Sequence, residues 1–340
     1  MRSRLLLVIG LLPAVATAQV SPFTGKSVVP PDSMGGYRLL IGGHFHGSSS
    51  DRSGYPSPTL LANLDTINAL GANLMLSTGD LFLQPDLDSA RYARSFFSRL
   101  DLALFNAPGN HDLEGKAYRS GAIMPVRIAM GQDRILLLDT ERNNSNIKGD
   151  QLDAIVDIAE EVAQGMVRHV FIFSHRPVWS EEEPLYGDLF LNNTRSLTGC
   201  NFNKDVLPLL QRMARKAEVF WISGSMAGRA PASIFFQPHE EHITYVQSAI
   251  RGELRDALLI ADVGRSGIRW SALSLTGLSV EKVERHGVEW WKEHQRSKAP
   301  FRWRILPYLI KKNLGYPSFW YGFVVAMVVL ILLRAAVRRW

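Results

Sequence analysis

Short apolar runs alternate with longer amphipathic stretches through most of the chain. The apolar runs occupy positions 37–41, 72–77, 103–106, 169–173 and 219–222, and the four intervals between them hold stretches with helical periodicity. This alternation predicts parallel β-strands joined by crossover helices. Because the carboxyl ends of parallel strands lie at one edge of a sheet, loop residues distant in sequence are expected to converge there.

A polar fragment follows each apolar run. The first four fragments place His, Asp and Asn side chains at the expected edge, where such side chains can bind a metal ion. They are Gly43-His44-Phe45-His46, Gly79-Asp80, Gly109-Asn110-His111-Asp112 and Ser174-His175-Arg176-Pro177. A fifth fragment, Gly224-Ser225-Met226-Ala227, carries no such ligand. A single Gly-Asp pair is common in turns, but four fragments in this order predict a shared site.

The order and spacing of these fragments resemble those of the calcineurin-like metallophosphoesterases. Motifs in that family run Asp-x-His, Gly-Asp, Gly-Asn-His-Asp/Glu, a lone His and then Gly-His-x-His. The resemblance covers about residues 37 to 275, and it includes the strand-like run 135–140 and a helix start at 149–152. It implies an α/β fold, a four-layer sandwich of two mixed sheets flanked by helices.

The resemblance also implies roles for individual residues. Asp80 would bridge two divalent metals, of which the first would also use His44 and His46. The second would also use Asn110 and His175. His111 would assist the phosphate and the leaving group, and Asp112 would orient His111. The implied metal ligands are therefore His44, His46, Asp80, Asn110 and His175, and the implied catalytic residues are His111 and Asp112.

The chain departs from the family pattern at both ends of the motif series. His44 stands where the family has Asp, and Ser225 and Ala227 stand where it has the last two histidines. Two divalent cations held close together repel each other, and only one carboxylate would then be present to offset that repulsion. One divalent ion is therefore expected rather than two, and the candidates are zinc, iron and manganese. His239 and His242 are not expected to replace the missing ligands.

Two functions remain open from the sequence. The first is a membrane-anchored hydrolase of phosphate esters or anhydrides that works with this reduced metal site. The second is a catalytically inactive pseudo-phosphoesterase that acts as a binding or assembly subunit at the cell envelope. A phosphorylated small molecule or an envelope lipid or glycan phosphate would be the substrate, and a protein partner is left open.

The two ends of the chain predict an envelope location. Residues 1–18 have the charged, apolar and small-residue parts of a secretory signal peptide, with an uncleaved anchor as the alternative. Residues 318–337 predict a single transmembrane helix, and 338–340 a cytoplasmic tail. The domain at 37–280, preceded by a linker at 19–36, would then be periplasmic or extracellular.

The segment 281–317 joins the domain to the predicted anchor and is rich in basic and aromatic residues. It would either lie on the membrane surface, or pack Trp290 and Trp291 on the domain. The net charge of +6 arises in the leader, this segment and the tail, so no nucleic-acid partner is expected. The single cysteine, Cys200, excludes an intrachain disulfide.

Overall fold

The computed structural model describes residues 19–48, 52–114, 124–190, 199–226, 230–295, 314 and 317–337. The predicted signal peptide and cytoplasmic tail lie outside the described residues, and so does Ala227 of the fifth fragment. The chain divides into two units, Met1–Gln295 and Arg296–Trp340.

All five predicted strands are confirmed, as is the strand at 135–140, although it begins and ends earlier than expected. Their apolar runs are continuous because both faces of each strand are buried. The strands are β1 (Tyr37–Gly42), β2 (Leu74–Ser77), β3 (Leu104–Asn106), β4 (Val126–Met130), β5 (Asp133–Leu137), β6 (His169–Phe173), β7 (Glu218–Ser223), β8 (Ile234–Glu240), β9 (Ile243–Ser248), β10 (Ala257–Gly264) and β11 (Gly267–Ser274).

The strands form two mixed sheets, as the family resemblance implied. One sheet has five strands in the order β11-β10-β1-β2-β3, and the other has six in the order β4-β5-β6-β7-β9-β8. The predicted strands are parallel within each sheet, β1 to β2 to β3 in the first and β5 to β6 to β7 in the second. The polar fragments therefore follow strands that belong to both sheets, and not strands of a single sheet.

The helices cover the outer faces of the two sheets. Leu60 and Leu64 pack on the five-stranded sheet, and Ile155 and Leu210 pack on the six-stranded sheet, while a third apolar cluster fills the space between the sheets. This gives the expected four layers. The α-helices among the described residues of this unit are α1 (Pro58–Ala62), α2 (Leu64–Ala69), α3 (Pro85–Ser95), α4 (Asp150–Ala163), α5 (Gly187–Phe190), α6 (Leu207–Ala214) and α7 (Val288–Glu293).

Helix α7 and the turn before it cover the edge strand β8. Trp291 is 1 % exposed, and its indole Nε1 donates to the Ile234 carbonyl at 2.9 Å. The backbone amide of Phe236 in β8 donates to the His286 carbonyl. An edge strand has unpaired backbone groups, and these contacts satisfy some of them. Of the two alternatives left open for Trp291, the structure therefore supports packing on the domain.

The predicted linker at 19–36 is also held by the domain. The Ser21 hydroxyl donates to the Leu104 carbonyl at 2.6 Å, and the Phe23 ring lies 5.4 Å from that of Phe97. The segment therefore extends the core around β3.

The second unit contains helix α8 (Pro317–Val337). Among the residues that the structure describes, no helix is long and apolar enough to cross a membrane. The predicted transmembrane helix is therefore confirmed as a helix but not as a membrane span.

Candidate metal centre

The first four polar fragments meet where the carboxyl ends of the two sheets come together. Fragments one to three follow β1, β2 and β3, and fragment four follows β6 in the other sheet. His44 and Asp80 have left-handed backbones, with φ of 53° and 55°. His and Asp adopt this conformation more readily than most residues, and it turns the chain sharply as it leaves the strand.

Glycines allow these turns to approach one another closely. A side chain at Gly79, where φ is 100°, would put its Cβ 2.5 Å from His175 Nδ1 and 2.9 Å from the Gly109 amide nitrogen. A Cβ at Gly224 would collide with the Thr78 carbonyl oxygen. Gly224 is therefore needed for backbone packing even though the rest of its fragment carries no ligand.

Asp112 joins the second and third fragments. It is fully buried and accepts four hydrogen bonds, of 2.9 to 3.2 Å. The donors are the backbone amides of Asp80, Phe82 and Gly109 and the side-chain amide of Asn106. Burial, and then the nearby Asp80 charge, raise the pKa of Asp112 to about 7. None of these bonds reaches the His111 ring, so the contacts of Asp112 position loops and do not include the expected one to His111.

Four imidazoles surround the Asp80 carboxylate, and we call them the imidazole cluster: His44, His46, His111 and His175. Asp80 Oδ2 lies 3.5 Å from His175 Nε2 and 3.6 Å from His44 Nε2. The ring of His46 lies 5.4 Å from those of His44 and His111. Asp80, His175 and His46 are buried, whereas His44 and His111 are about one-fifth exposed.

The cluster contains two sets of three side chains that could each hold a metal ion. One set is His44, Asp80 and His175, and the other is His46, Asp80 and His111, with ligand atoms within 4.8 Å of one another in each. Asp80 belongs to both sets, as expected for a bridging carboxylate. The groupings differ from those expected, because His44 is placed with His175, and His111 is placed with His46.

The hydrogen bonds of His175 show that this donor set fits a cation. Its Nδ1 donates to the Thr78 carbonyl at 3.0 Å, so a neutral ring carries its lone pair on Nε2. That lone pair faces an Asp80 oxygen, which is also an acceptor, and Nε2 has no hydrogen-bond partner among the described residues. Two buried acceptors at 3.5 Å repel each other unless a cation or proton lies between them. His44 Nε2, 3.6 Å from Asp80 Oδ2, and His111 Nδ1, 3.9 Å from Glu114 Oε1, are buried without a hydrogen-bond partner as well.

The charges in the cluster also favour a cation. Burial lowers the pKa of His46 to about 4 and lowers that of His44 well below its usual value, so both rings are neutral at pH 7. Burial alone would raise the pKa of Asp80, but the imidazoles, His175 first, hold it below its usual range. An anionic oxygen among neutral ring nitrogens is a donor set that suits zinc or ferrous iron.

Asn110, the remaining predicted ligand, has another partner. Its Oδ1 accepts a hydrogen bond from Arg176 Nη2 at 2.9 Å. Arg176 is also bound to Glu141, a residue of the loop after β5. Neither contact was predicted from the sequence.

The described part of the fifth fragment, Gly224 to Met226, lies beside the site but contains no histidine. The amides of Gly224 and Ser225 both donate to the His175 carbonyl, at 3.0 and 2.7 Å. Met226 lines a cavity of about 280 Å³ beside the cluster. His239 and His242 belong to neither set, since their ring nitrogens face Tyr186 and Glu218.

The same cavity is lined by two charged residues that sequence analysis missed. Arg251 and Glu253 follow β9, and their side chains are paired at 3.3 Å. The segment before them, 243–250, mixes polar residues with apolar ones, so it lacks the continuous apolar run that identified the other fragments. The cavity thus has imidazoles on one side and a guanidinium with its carboxylate partner on the other.

Comparison with solved structures agrees with this architecture. A purple acid phosphatase from yellow lupin (Lupinus luteus) seeds is 12% identical, with a TM-score of 0.50 over 76% of this chain and 55% of that one. The chain has the fold of the calcineurin-like metallophosphoesterases. It spans only about half of the lupin protein. At this identity, the likeness establishes the fold and not the activity.

Two further structures are similar over most of their own length. A dimetal phosphatase from Danio rerio is 11% identical over 70% of this chain and 99% of that one, with a TM-score of 0.47. Vacuolar Protein Sorting 29 from Cryptosporidium parvum is 11% identical over 70% and 98%, with a TM-score of 0.31. No protein-family model and no curated protein matches the chain.

Proposed function

We propose that the chain is a metal-dependent hydrolase of phosphate esters or anhydrides. The observation that carries this proposal is the pair of buried ring nitrogens, on His44 and His175, that face Asp80 without a hydrogen-bond partner. A polar cluster of this kind is costly to bury unless a ligand satisfies it. A divalent cation held by these residues would polarise a phosphoryl oxygen as a Lewis acid and would supply a hydroxide at neutral pH.

The residues around the cavity suit the remaining tasks of the reaction. Arg251 offers charge-assisted hydrogen bonds to the phosphoryl oxygens of a substrate. His111 lines the cavity and is about one-fifth exposed, a position that suits a group donating a proton to the leaving oxygen. Its backbone amide donates to Asp80 Oδ1 at 3.0 Å, which fixes its position relative to the carboxylate.

The test is metal content per chain together with turnover of phosphate esters. We expect near-stoichiometric zinc, iron or manganese in the full-length protein and loss of both metal and turnover in Asp80→Asn. Asp157→Asn is the matched control, because Asp157 is an exposed partner of Arg127. Metal retained by Asp80→Asn, or turnover unchanged without metal, would contradict the proposal.

A binding or assembly subunit is the second candidate function. It is favoured by Ser225 and Met226, which bring no ligand to the site, and by the contact of Asn110 with Arg176. A protein that binds metal but hydrolyses neither monoesters, diesters nor anhydrides would support it.

We also propose that the protein is anchored at the cell envelope by one helix and acts on lipid-linked or glycan-linked phosphates. The proposal is supported by the signal-like sequence at 1–18 and the apolar sequence at 319–333. Fractionation of cells should place the full-length protein with membranes, and deletion of 318–340 should release it. Far better turnover of soluble nucleotides than of lipid phosphates would refute the substrate class.

A further inference from the structure

Arg251 and Glu253 stand on a short turn after β9, and a buried carboxylate holds that turn in place. Asp256 is fully buried, and it accepts the backbone amides of residues 251 to 253 at 2.8 to 3.1 Å. Its Oδ2 also accepts the hydroxyl of Thr59 in α1 at 2.9 Å. Because a buried carboxylate with these donors is held firmly, the turn presents both charged side chains to the cavity in a fixed arrangement.

The two side chains form an ion pair on the wall of the cavity that faces the imidazoles. Arg251 Nε lies 3.3 Å from Glu253 Oε1, and the side chains are 23% and 26% exposed. Both line the cavity. A carboxylate this close cancels most of the positive potential that a lone guanidinium would give the cavity. The wall therefore offers N–H donors to a phosphoryl group but carries no net charge.

The Glu253 carboxylate lies close to any ligand in the cavity. Because a compact space of 280 Å³ is only about 8 Å across, a negative charge on the ligand is repelled enough to change its affinity about tenfold, when the effective dielectric constant lies between those of a protein surface and of water. A phosphomonoester with two negative charges experiences this repulsion twice. A phosphodiester has a single negative charge and experiences it once.

The cavity also has a place for the second organic group of a diester. Met226 and Ala249 line it with apolar side chains. An organic group gains contact with such side chains. A monoester has a charged oxygen in place of that group, and a charged oxygen against an apolar surface loses solvation without compensation.

We propose that Glu253 selects singly charged phosphodiesters over doubly charged phosphomonoesters as substrates. This inference rests on the proposed function, because it requires hydrolysis at the imidazole cluster. In that reaction the oxygen of a water molecule bonds to phosphorus, the bond from phosphorus to one ester oxygen breaks, and that ester oxygen takes up a proton. The products are an alcohol and a phosphomonoester. Loss of the remaining proton of the monoester gives it a second negative charge, which Glu253 repels, so its release is favoured.

The test compares the affinities of two stable phosphonates for the full-length, Mn²⁺-loaded protein by titration calorimetry. Phenylphosphonate carries two negative charges at mildly alkaline pH, and its monomethyl ester carries one. The wild type is expected to bind the monomethyl ester more tightly. Glu253→Gln removes the charge and keeps the shape of the side chain, so it should strengthen phenylphosphonate binding about tenfold relative to the monomethyl ester. Glu253→Ala should change this ratio in the same direction, and so should the ratio of kcat/KM for phenyl phosphate over methyl phenyl phosphate.

Glu241→Gln is the matched control. It removes the same charge from a 92% exposed side chain in the turn before β9, at the other end of that strand from Arg251, and should leave the affinity ratio unchanged. Equal changes for both phosphonates in Glu253→Gln would indicate a merely structural role. That result, or tighter binding of phenylphosphonate by the wild type, would overturn the inference and leave the proposed function standing. Absence of bound metal, or turnover of neither ester, would overturn both.

Discussion

Truncation of Trp291 tests how the segment after the last strand is held. The indole is 1 % exposed, packs 5.2 Å from the Phe235 ring and donates to the Ile234 carbonyl. Replacement of a buried tryptophan by alanine costs about 3–5 kcal/mol, because contacts are lost and a cavity remains. For a domain of this size, with a urea m-value of about 3 kcal/mol/M, the unfolding midpoint should fall by about 1–1.7 M.

Trp290 supplies the matched control because it is the next residue and only partly buried. Trp290→Ala should lower the free energy of unfolding by less than about 1.5 kcal/mol. Trp291→Phe keeps an aromatic ring but leaves the Ile234 carbonyl unpaired, so a loss of about 1–3 kcal/mol is expected. Urea unfolding followed by circular dichroism measures all three. Equal effects of the two alanine variants would refute the assignment of Trp291 to the core.

Three further predictions concern the site and the same edge of the domain. Gly224→Ala should cost about 1–3 kcal/mol in urea unfolding because its Cβ collides with the Thr78 oxygen, and Gly187→Ala, where nothing lies within 4 Å, should not. Burial lowers the pKa of His286, so as the pH falls this side chain is protonated in the unfolded chain before it is protonated in the folded one. The free energy of unfolding of the wild type should therefore fall as the pH drops below 6.5. A His286→Gln variant with the same pH dependence would contradict this. Removal of metal by a chelator should lower the free energy of unfolding by about 3–4 kcal/mol when the free ion had been at 100–1,000 times its Kd. Asp80→Asn should show no such chelator effect in thermal melts, and an equal effect there would place the metal elsewhere.

Much of the fold follows from local features of the sequence. The strands β1, β2, β3, β6 and β7 are short continuous apolar runs, and such runs become strands that are buried on both faces. Helix α4 begins at Asp150, as the pattern at 149–152 indicated. The residues His44, His46, Asp80, His111 and His175 could be singled out because each follows the end of a strand.

Contacts between distant residues were harder to predict. Asp112 was expected to orient His111, but in the fold its carboxylate accepts hydrogen bonds from three backbone amides and the Asn106 side chain instead. Arg251 was missed because its position beside the cavity depends on how β9 lies next to β7. Spacing along the chain carries no information about such neighbours.

The sequence by itself determined six of the strands (β1, β2, β3, β5, β6 and β7), the order of the polar fragments and the residue types that meet at the site. These depend on local periodicity and on the rule that parallel strands end at a common edge. Only the tertiary structure decided that Asp80 is shared by two sets of imidazoles, that Arg176 binds Asn110 and that Trp291 covers an edge strand. These contacts join residues that are far apart along the chain, so they form only when the chain has folded.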